Sequence, residues 1–204
     1  MSCWALIPMN RRDQAKSRLM QVLDSPARLA LVRAMLGHVL RVVGATPGID
    51  HIAVVSAERD TVPEKIVLLE DAGRGLNRAL GAAVATLKAT GARKVVIVAG
   101  DLPHLEVTDV TALLAGLCDS GCVVAGDESG QGTNAISLDL ERLDPIAFRF
   151  LFGRNSFGRH VRQAQALGLG PQIIQRPGLW FDLDEPEALN ALMVGQSSEL
   201  EDAS

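Results

Sequence analysis

The sequence predicts an α/β protein built in three layers, helix, sheet and helix, around a mostly parallel mixed sheet. Two patterns carry that expectation. Apolar runs of three to five residues recur along the chain, continuous where a half-exposed strand would alternate, and continuous apolar strands are those buried on both faces. Segments with helical periodicity and start and stop signals fall between these runs, and alternating strands and helices imply a sheet covered on each side. Bulk composition agrees, since 204 residues with 48% hydrophobic and 22% charged suit a sizeable core. That core must be aliphatic, because the chain has no Tyr, two Trp and five Phe.

Trp4–Pro8 is the first expected strand. Ser25 and Pro26 read as the N-cap and first-turn residues of a helix. Its apolar stripe is Leu29, Val32, Met35, Leu36, Val39, Leu40 and Val43, and Gly44 reads as its stop. Strands Ile52–Ser56 and Ile66–Leu69 follow. An alanine-rich helix from Leu76 to Thr90 ends at Gly91, and strand Val95–Ala99 comes next. Thr108 reads as the cap of a helix from Asp109 to Leu117, ahead of strands Cys122–Ala125 and Ala135–Leu138. A helix from Ser156 to Leu167 stops at Gly168, strand Ile173–Gln175 follows, and Pro186 opens a short last helix. No repeat or long linker interrupts the pattern. Residues 1–194 are therefore expected to form one domain, and the polar, acidic stretch 195–204 a disordered tail.

Net charge is −4, so the chain as a whole offers no electrostatic case for nucleic acid or for an anionic membrane. Cys3, Cys118 and Cys122 lack the paired spacing of a zinc site and read as reduced thiols. Neither a signal peptide nor an apolar stretch of roughly 18 residues is present in the sequence, which leads to the expectation of a cytoplasmic protein. No G-x-x-x-x-G-K-[ST] loop and no Ser-His-Asp or Cys-His arrangement is readable.

Asp101 follows an apolar strand across Gly100, at the carboxyl edge where parallel sheets bind ligands. A carboxylate there suits an oxygen ligand for Mg²⁺ or a simple turn residue. Asp182 and Asp184 are two apart, so in extended chain both carboxylates face one way, and a cation would relieve their repulsion. For Asp184, capping of the following helix is the competing role. Arg11, Arg12, Lys16 and Arg18 crowd the segment after the first strand, where they could neutralise a triphosphate or form a solvated loop. Gly75 and Asn77 open a helix whose free N–H groups a ligand could approach closely. Gly75 could equally serve packing, and Asn77 could face solvent. Gly130-Gln131-Gly132-Thr133-Asn134-Ala135 fits the G-x-G-x-x-A pattern, but a strand-like run follows it instead of a helix, so a dinucleotide site is not expected. Donors of that loop suit a phosphate or carboxylate. Arg149 to Arg162 carries four arginines, one histidine and no acid, with Ser156 reading as a helix N-cap where anions are favoured. His160 reads as a helix residue with no firm chemical role.

Six segments in this order resemble one enzyme family. They are Ala15-Lys16-Ser17-Arg18-Leu19, Gly75-Leu76-Asn77-Arg78-Ala79-Leu80, Gly100-Asp101-Leu102-Pro103, Gly126 to Ala135, Phe152-Gly153 with Ser156-Phe157 and His160, and Phe181-Asp182-Leu183-Asp184-Glu185-Pro186. The family is 2-phospho-L-lactate guanylyltransferase with its phosphoenolpyruvate- and 3-phospho-D-glycerate-using relatives, which serve biosynthesis of coenzyme F-420. The resemblance implies a nucleotide-diphospho-sugar transferase-like fold. It implies a metal site of Asp101, Asp182 and Asp184 for Mg²⁺, with Mn²⁺ as the alternative ion, and a catalytic role for Asp101, Lys16 and Arg18. It puts Arg11, Arg12, Lys16, Arg18, Gly75 and Asn77 at the nucleotide, GTP, and Thr133, Gly153 and Ser156 at the phosphorylated acid. The enzyme that consumes the unstable product is a further candidate partner. Two departures stand out. The family has Pro-x-Lys where this chain has Pro8-Met9-Asn10, so Arg11 or Arg12 substitutes, or Lys16 and Arg18 carry the phosphate charge alone. It has Pro-Gly where this chain has Arg154-Asn155. A nucleotidyltransferase for another acceptor and a non-catalytic GTP-binding partner are the alternative functions.

Overall fold

A computed structural model describes residues 2–9, 23–59, 62–71, 75–144 and 147–181. Four parallel strands form one side of the sheet: β1 (Ser2–Pro8), β2 (His51–Ser56), β3 (Val67–Glu70) and β4 (Ala92–Val98). β5 (Cys122–Gly126), β6 (Thr133–Asp139) and β7 (Gln172–Ile174) complete it. The order is β3-β2-β1-β4-β6-β5-β7, with β6 antiparallel to both β4 and β5 and the other pairs parallel. Each apolar run read as a strand overlaps one of these seven.

Helices α1 (Ser25–Ala45) and α3 (Val107–Asp119) cover one face, and α2 (Leu76–Ala89) and α4 (Ser156–Ala166) the other. β4 shows why its run is unbroken. Val96 and Val98 enter the core with Leu36, Val39, Val110 and Leu113, whereas Val95 and Ile97 enter the second core with Leu80, Val84 and Leu87. Strand side chains alternate between faces, so a strand covered on both sides must be apolar at every position. Complete burial of each such side chain contributes roughly 1.5–3 kcal/mol.

Helix ends differ from the sequence reading in detail. The N-cap of α1 is Asp24, whose Oδ1 accepts the Ala27 N–H at 2.8 Å, and Ser25 is the first helical residue. Gly44 lies inside the helix, which runs to Ala45 before Thr46 caps it. An interior glycine costs only about 1 kcal/mol, which packing readily outweighs. Glu106, not Thr108, precedes α3, and its N–H donates to Asp109 Oδ2 at 2.9 Å. α4 begins at Ser156 with Asn155 as its cap. A four-residue helix, α5 (Pro177–Trp180), had no periodic signal to announce it. The expected helix at Pro186 and the tail 195–204 lie outside the described residues. No described helix is long and apolar enough to cross a membrane. All three cysteines are free, and burial pushes the thiols of Cys3 and Cys122 up to about 11 and about 12.

Topology sets the site. β1 leads to β2 and β3 on one side, while β4 lies on its other side, so the connections diverge between β1 and β4. Ligands of open α/β sheets bind at such a point, beyond the carboxyl ends of the strands. Because β6 runs antiparallel, its first residues reach that same edge, with Ala135 paired to Val98.

Candidate functional site

Asp101 stands at this divergence, half-buried, two residues beyond Ala99. The Ala99 N–H donates to the Asn134 carbonyl at 2.9 Å, which ties the Asp101 turn to the start of β6. Gly100 lets the turn lie against β1. A Cβ there would sit 3.2 Å from Ile7 Cγ2 and 3.4 Å from the Pro8 carbonyl oxygen, tighter than ordinary packing allows.

The glycine-rich loop between β5 and β6 is organised by Asp127, a residue to which the sequence reading gave no separate role. Its Oδ2 accepts the Gly132 N–H at 2.8 Å, and Oδ1 accepts the Gln131 N–H at 3.0 Å and the Ser129 hydroxyl at 2.9 Å. Gly130 donates its N–H to the Asp127 carbonyl at 3.0 Å. The N–H groups of Gly130, Gln131 and Gly132 are thus engaged within the loop. Thr133, buried, follows the loop as the first residue of β6. Asn134, also buried, donates through Nδ2 to the Leu179 carbonyl at 2.9 Å, so it fastens α5 to the site.

A strap from Arg149 to Phe152, outside the sheet, has its backbone held by side chains. Gln163 accepts from the Arg149 N–H at 3.0 Å and donates to its carbonyl at 2.7 Å. His160 Nε2 accepts the Leu151 N–H at 2.8 Å. Asn77 accepts the Phe152 N–H at 2.8 Å and donates to its carbonyl at 3.1 Å. Such pairing supplies the backbone bonds that a sheet would otherwise provide. Asn77, which the resemblance puts at the nucleotide, has its amide oxygen and nitrogen bonded to the strap. Gly75 caps α2 at φ 89° and its carbonyl accepts from Arg78 and Ala79. Beyond the strap, Gly153 has φ 116°, and Asn155 at φ 55° occupies the left-handed region. Asn is among the non-glycine residues that best tolerate it. Ser156 is buried and opens α4, and the Phe157 N–H donates to the Gln131 carbonyl at 3.1 Å. Thr133 meets this helix directly, with Oγ1 3.0 Å from His160 Nδ1.

Burial, aided by the positive charge of Arg159, pushes the His160 imidazole from 6.5 down to about 4. Between those values the unfolded chain binds the proton and the folded one does not, so stability falls as pH drops through this window and is fully present above 6.5. The loss should approach 2–3 kcal/mol, on the order of 1.4 kcal/mol per pH unit. Denaturation midpoints of the wild type and of His160→Phe at several pH values between 4 and 7 test this, and the variant should show the shallower slope.

The last described segment is clamped in place. Arg176 donates to the buried Asp109 carboxylate, and Gly178 packs against Asp109 so closely that a side chain has no room. The Trp180 carbonyl accepts the Glu128 N–H at 3.2 Å. Phe181 then packs on His104 with ring centroids 5.3 Å apart, three residues beyond Asp101. Neither Asp109 nor Arg176 had been singled out in the sequence. Arg11, Arg12, Lys16, Arg18, Asp182 and Asp184 lie outside the described residues. Among the described residues no group of three His, Cys, Asp or Glu is placed to hold a metal ion.

The mostly parallel mixed sheet with helices on both faces is the fold of nucleotide-diphospho-sugar transferase-like proteins. The fold is similar to that of a putative nucleotide-diphospho-sugar transferase from Desulfovibrio desulfuricans G20, with a TM-score of 0.78 at 19% identity over 94% of this chain and 87% of that one. The chain belongs to the family described as guanylyl transferase CofC like, whose model matches residues 3–201. It is 39% identical to the phosphoenolpyruvate guanylyltransferase of Chloroflexus aurantiacus over 90% of this chain and 91% of that protein. It is 30% identical to the 2-phospho-L-lactate guanylyltransferase of Methanothermobacter thermautotrophicus, over 95% and 85%.

Proposed function

We propose that the protein transfers GMP from GTP to the phosphate of a small phosphorylated carboxylic acid, in the cytoplasm, as a step of coenzyme F-420 biosynthesis. The observation that carries this reading is that the Asp101 turn and Thr133 lie at one sheet edge, tied by the Ala99–Asn134 hydrogen bond, in a chain of the guanylyl transferase family. A phosphate oxygen of the acid attacks the α-phosphorus of GTP, a P–O bond to the β-phosphate breaks, and pyrophosphate leaves. A phosphate dianion is already a nucleophile and needs no base, so the protein's task is positioning and charge neutralisation.

Lys16 and Arg18, with Arg11 or Arg12 replacing the lysine absent at Asn10, offset the triphosphate charge. Gly75 lets the nucleotide approach the start of α2. Thr133, Gly153 and Ser156 hold the acid, and the half-turn set by Asn155 keeps Ser156 at the helix start. Carboxylates are the oxygen donors that a hard cation prefers, so Asp101, Asp182 and Asp184 fit Mg²⁺ or Mn²⁺. Asp127 is not of this set, because both of its oxygens serve the loop. When bound, the ion supplies neutralisation of phosphate charge.

Pyrophosphate release from GTP and Mg²⁺ should occur with one of phosphoenolpyruvate, 2-phospho-L-lactate or 3-phospho-D-glycerate, and not with ATP or CTP in place of GTP. Phosphoenolpyruvate is the first acid to try, given the 39% relative named for it. A protein that binds GTP and releases pyrophosphate with none of the three would overturn the acceptor class and favour another acceptor or a binding role.

A further inference from the structure

His160 is fully buried, and its ring nitrogens have distinct partners. A backbone N–H can only donate, so the Leu151 N–H at 2.8 Å fixes Nε2 as an acceptor. A neutral imidazole then carries its proton on Nδ1, the atom 3.0 Å from Thr133 Oγ1. Nδ1–H therefore donates to the threonine oxygen. One consequence follows for the hydroxyl: its oxygen is occupied as an acceptor and its own proton remains to be donated. Among the described residues His160 is the partner of Thr133 Oγ1, and Thr133 is only 7% exposed. A buried donor without an acceptor is costly, whereas an acceptor-only group such as phosphate or carboxylate satisfies it.

The ring cannot readily turn to exchange these roles. Phe152 packs edge-on at 5.0 Å between centroids and Phe148 stacks at 6.2 Å. The strap that supplies the Leu151 N–H is itself pinned by Gln163 at Arg149 and by Asn77 at Phe152. A half-turn of the ring would break both hydrogen bonds and face carbon toward each partner.

We propose that His160 is a positioning residue of the acid site: by donating from Nδ1 to Thr133 Oγ1, it turns the threonine hydroxyl into a fixed donor aimed at the anionic group of the acid. This rests on the assignment of Thr133 to the acid in the proposed function. The low proton affinity produced by burial keeps the ring neutral, and hence able to hold this arrangement, across the neutral pH range. Protonation would set Nε2–H against the Leu151 N–H, two donors with nothing between them.

Two substitutions separate the bonds, since a glutamine amide reaches the Nε2 position and an asparagine amide the Nδ1 position. His160→Gln keeps an acceptor for Leu151 and loses the donor to Thr133, so the KM for the acid should rise about tenfold or more with the KM for GTP within about twofold. His160→Asn keeps the donor and should recover most of that loss. Thr133→Val should match His160→Gln, and the double variant should be no worse than either alone, because both remove one interaction. In protein with ¹⁵N-labelled histidine, the His160 signals should show a protonated Nδ1 and a bare Nε2. A ring protonated on Nε2, or a reversed order in which His160→Asn is impaired and His160→Gln normal, overturns the proposal and leaves the ring as an anchor of the strap. If unaltered protein shows the Nδ1-protonated ring yet neither binds nor turns over any of the three acids, the acid assignment of Thr133 falls, and the target of the presented proton with it.

Discussion

Asp101→Asn is expected to lower the rate of pyrophosphate release by about a hundredfold or more while leaving the denaturation midpoint close to that of the wild type. The substitution keeps shape and removes charge. Asp101 follows β4 at the divergence of the strands, and its turn is fixed from two sides, by the Ala99 hydrogen bond to Asn134 and by the contact of Gly100 with β1. The asparagine should therefore occupy the same place, and the change isolates the carboxylate. A carboxylate repels phosphate, so its charge would act through the cation it is proposed to hold, whose attraction for phosphate is stronger in a site shielded from water than in bulk. A thermal shift on adding Mg²⁺ and GTP should shrink in the variant for the same reason. Turnover within threefold of wild type would remove Asp101 from the catalytic set, whatever the reaction proves to be.

Gly178→Ala is expected to destabilise the fold by about 3 kcal/mol or more, the largest effect of any alanine replacement at a described glycine. An added Cβ would lie 2.6 Å from the His104 carbonyl oxygen and closer still to the Asp109 carboxylate. The carbonyl belongs to backbone and the carboxylate is 2% exposed and paired with Arg176, so neither can move aside cheaply. Gly81, in the middle of α2, has nothing within 4 Å of the same added atom. Gly81→Ala should instead stabilise by about 0.5–1 kcal/mol, as expected for alanine in a helix. Urea titrations of the two variants side by side give the comparison, and equal midpoints would refute the clamp. The Gly178 variant should also lose activity, since α5 carries the chain from Arg176 to Phe181 beside the Asp101 turn.

Much of the architecture was legible because it is encoded locally. The unbroken run Val95–Val98 announces burial on two faces without reference to any other part of the chain, and the stripe from Leu29 to Val43 announces a helix. Asp101 could be singled out for a similar reason, being a carboxylate one glycine beyond a buried strand. Roles that depend on partners far along the chain were a different matter. Asn77 reads as a polar residue at a helix start, yet its amide pairs with Phe152, 75 residues away. His160 reads as one more helix residue, and acquires meaning only because Thr133 and Leu151 arrive at its two nitrogens. Asp127 reads as part of a glycine-rich loop that could hold an anion, and the fold instead turns its carboxylate onto the loop's own N–H groups.

By itself, then, the sequence determined the seven strands, the four longer helices, their layering and the family, since hydrophobic period and short motifs act within a few residues of one another. Only the tertiary structure decided that β6 inserts antiparallel between β4 and β5, bringing Thr133 to the edge that Asp101 occupies. It alone decided that Asn77, Gln163 and Asp127 hold backbone groups. A hydrogen bond is satisfied by whatever the fold brings within about 3 Å, and strand order and register, not local composition, determine what that is.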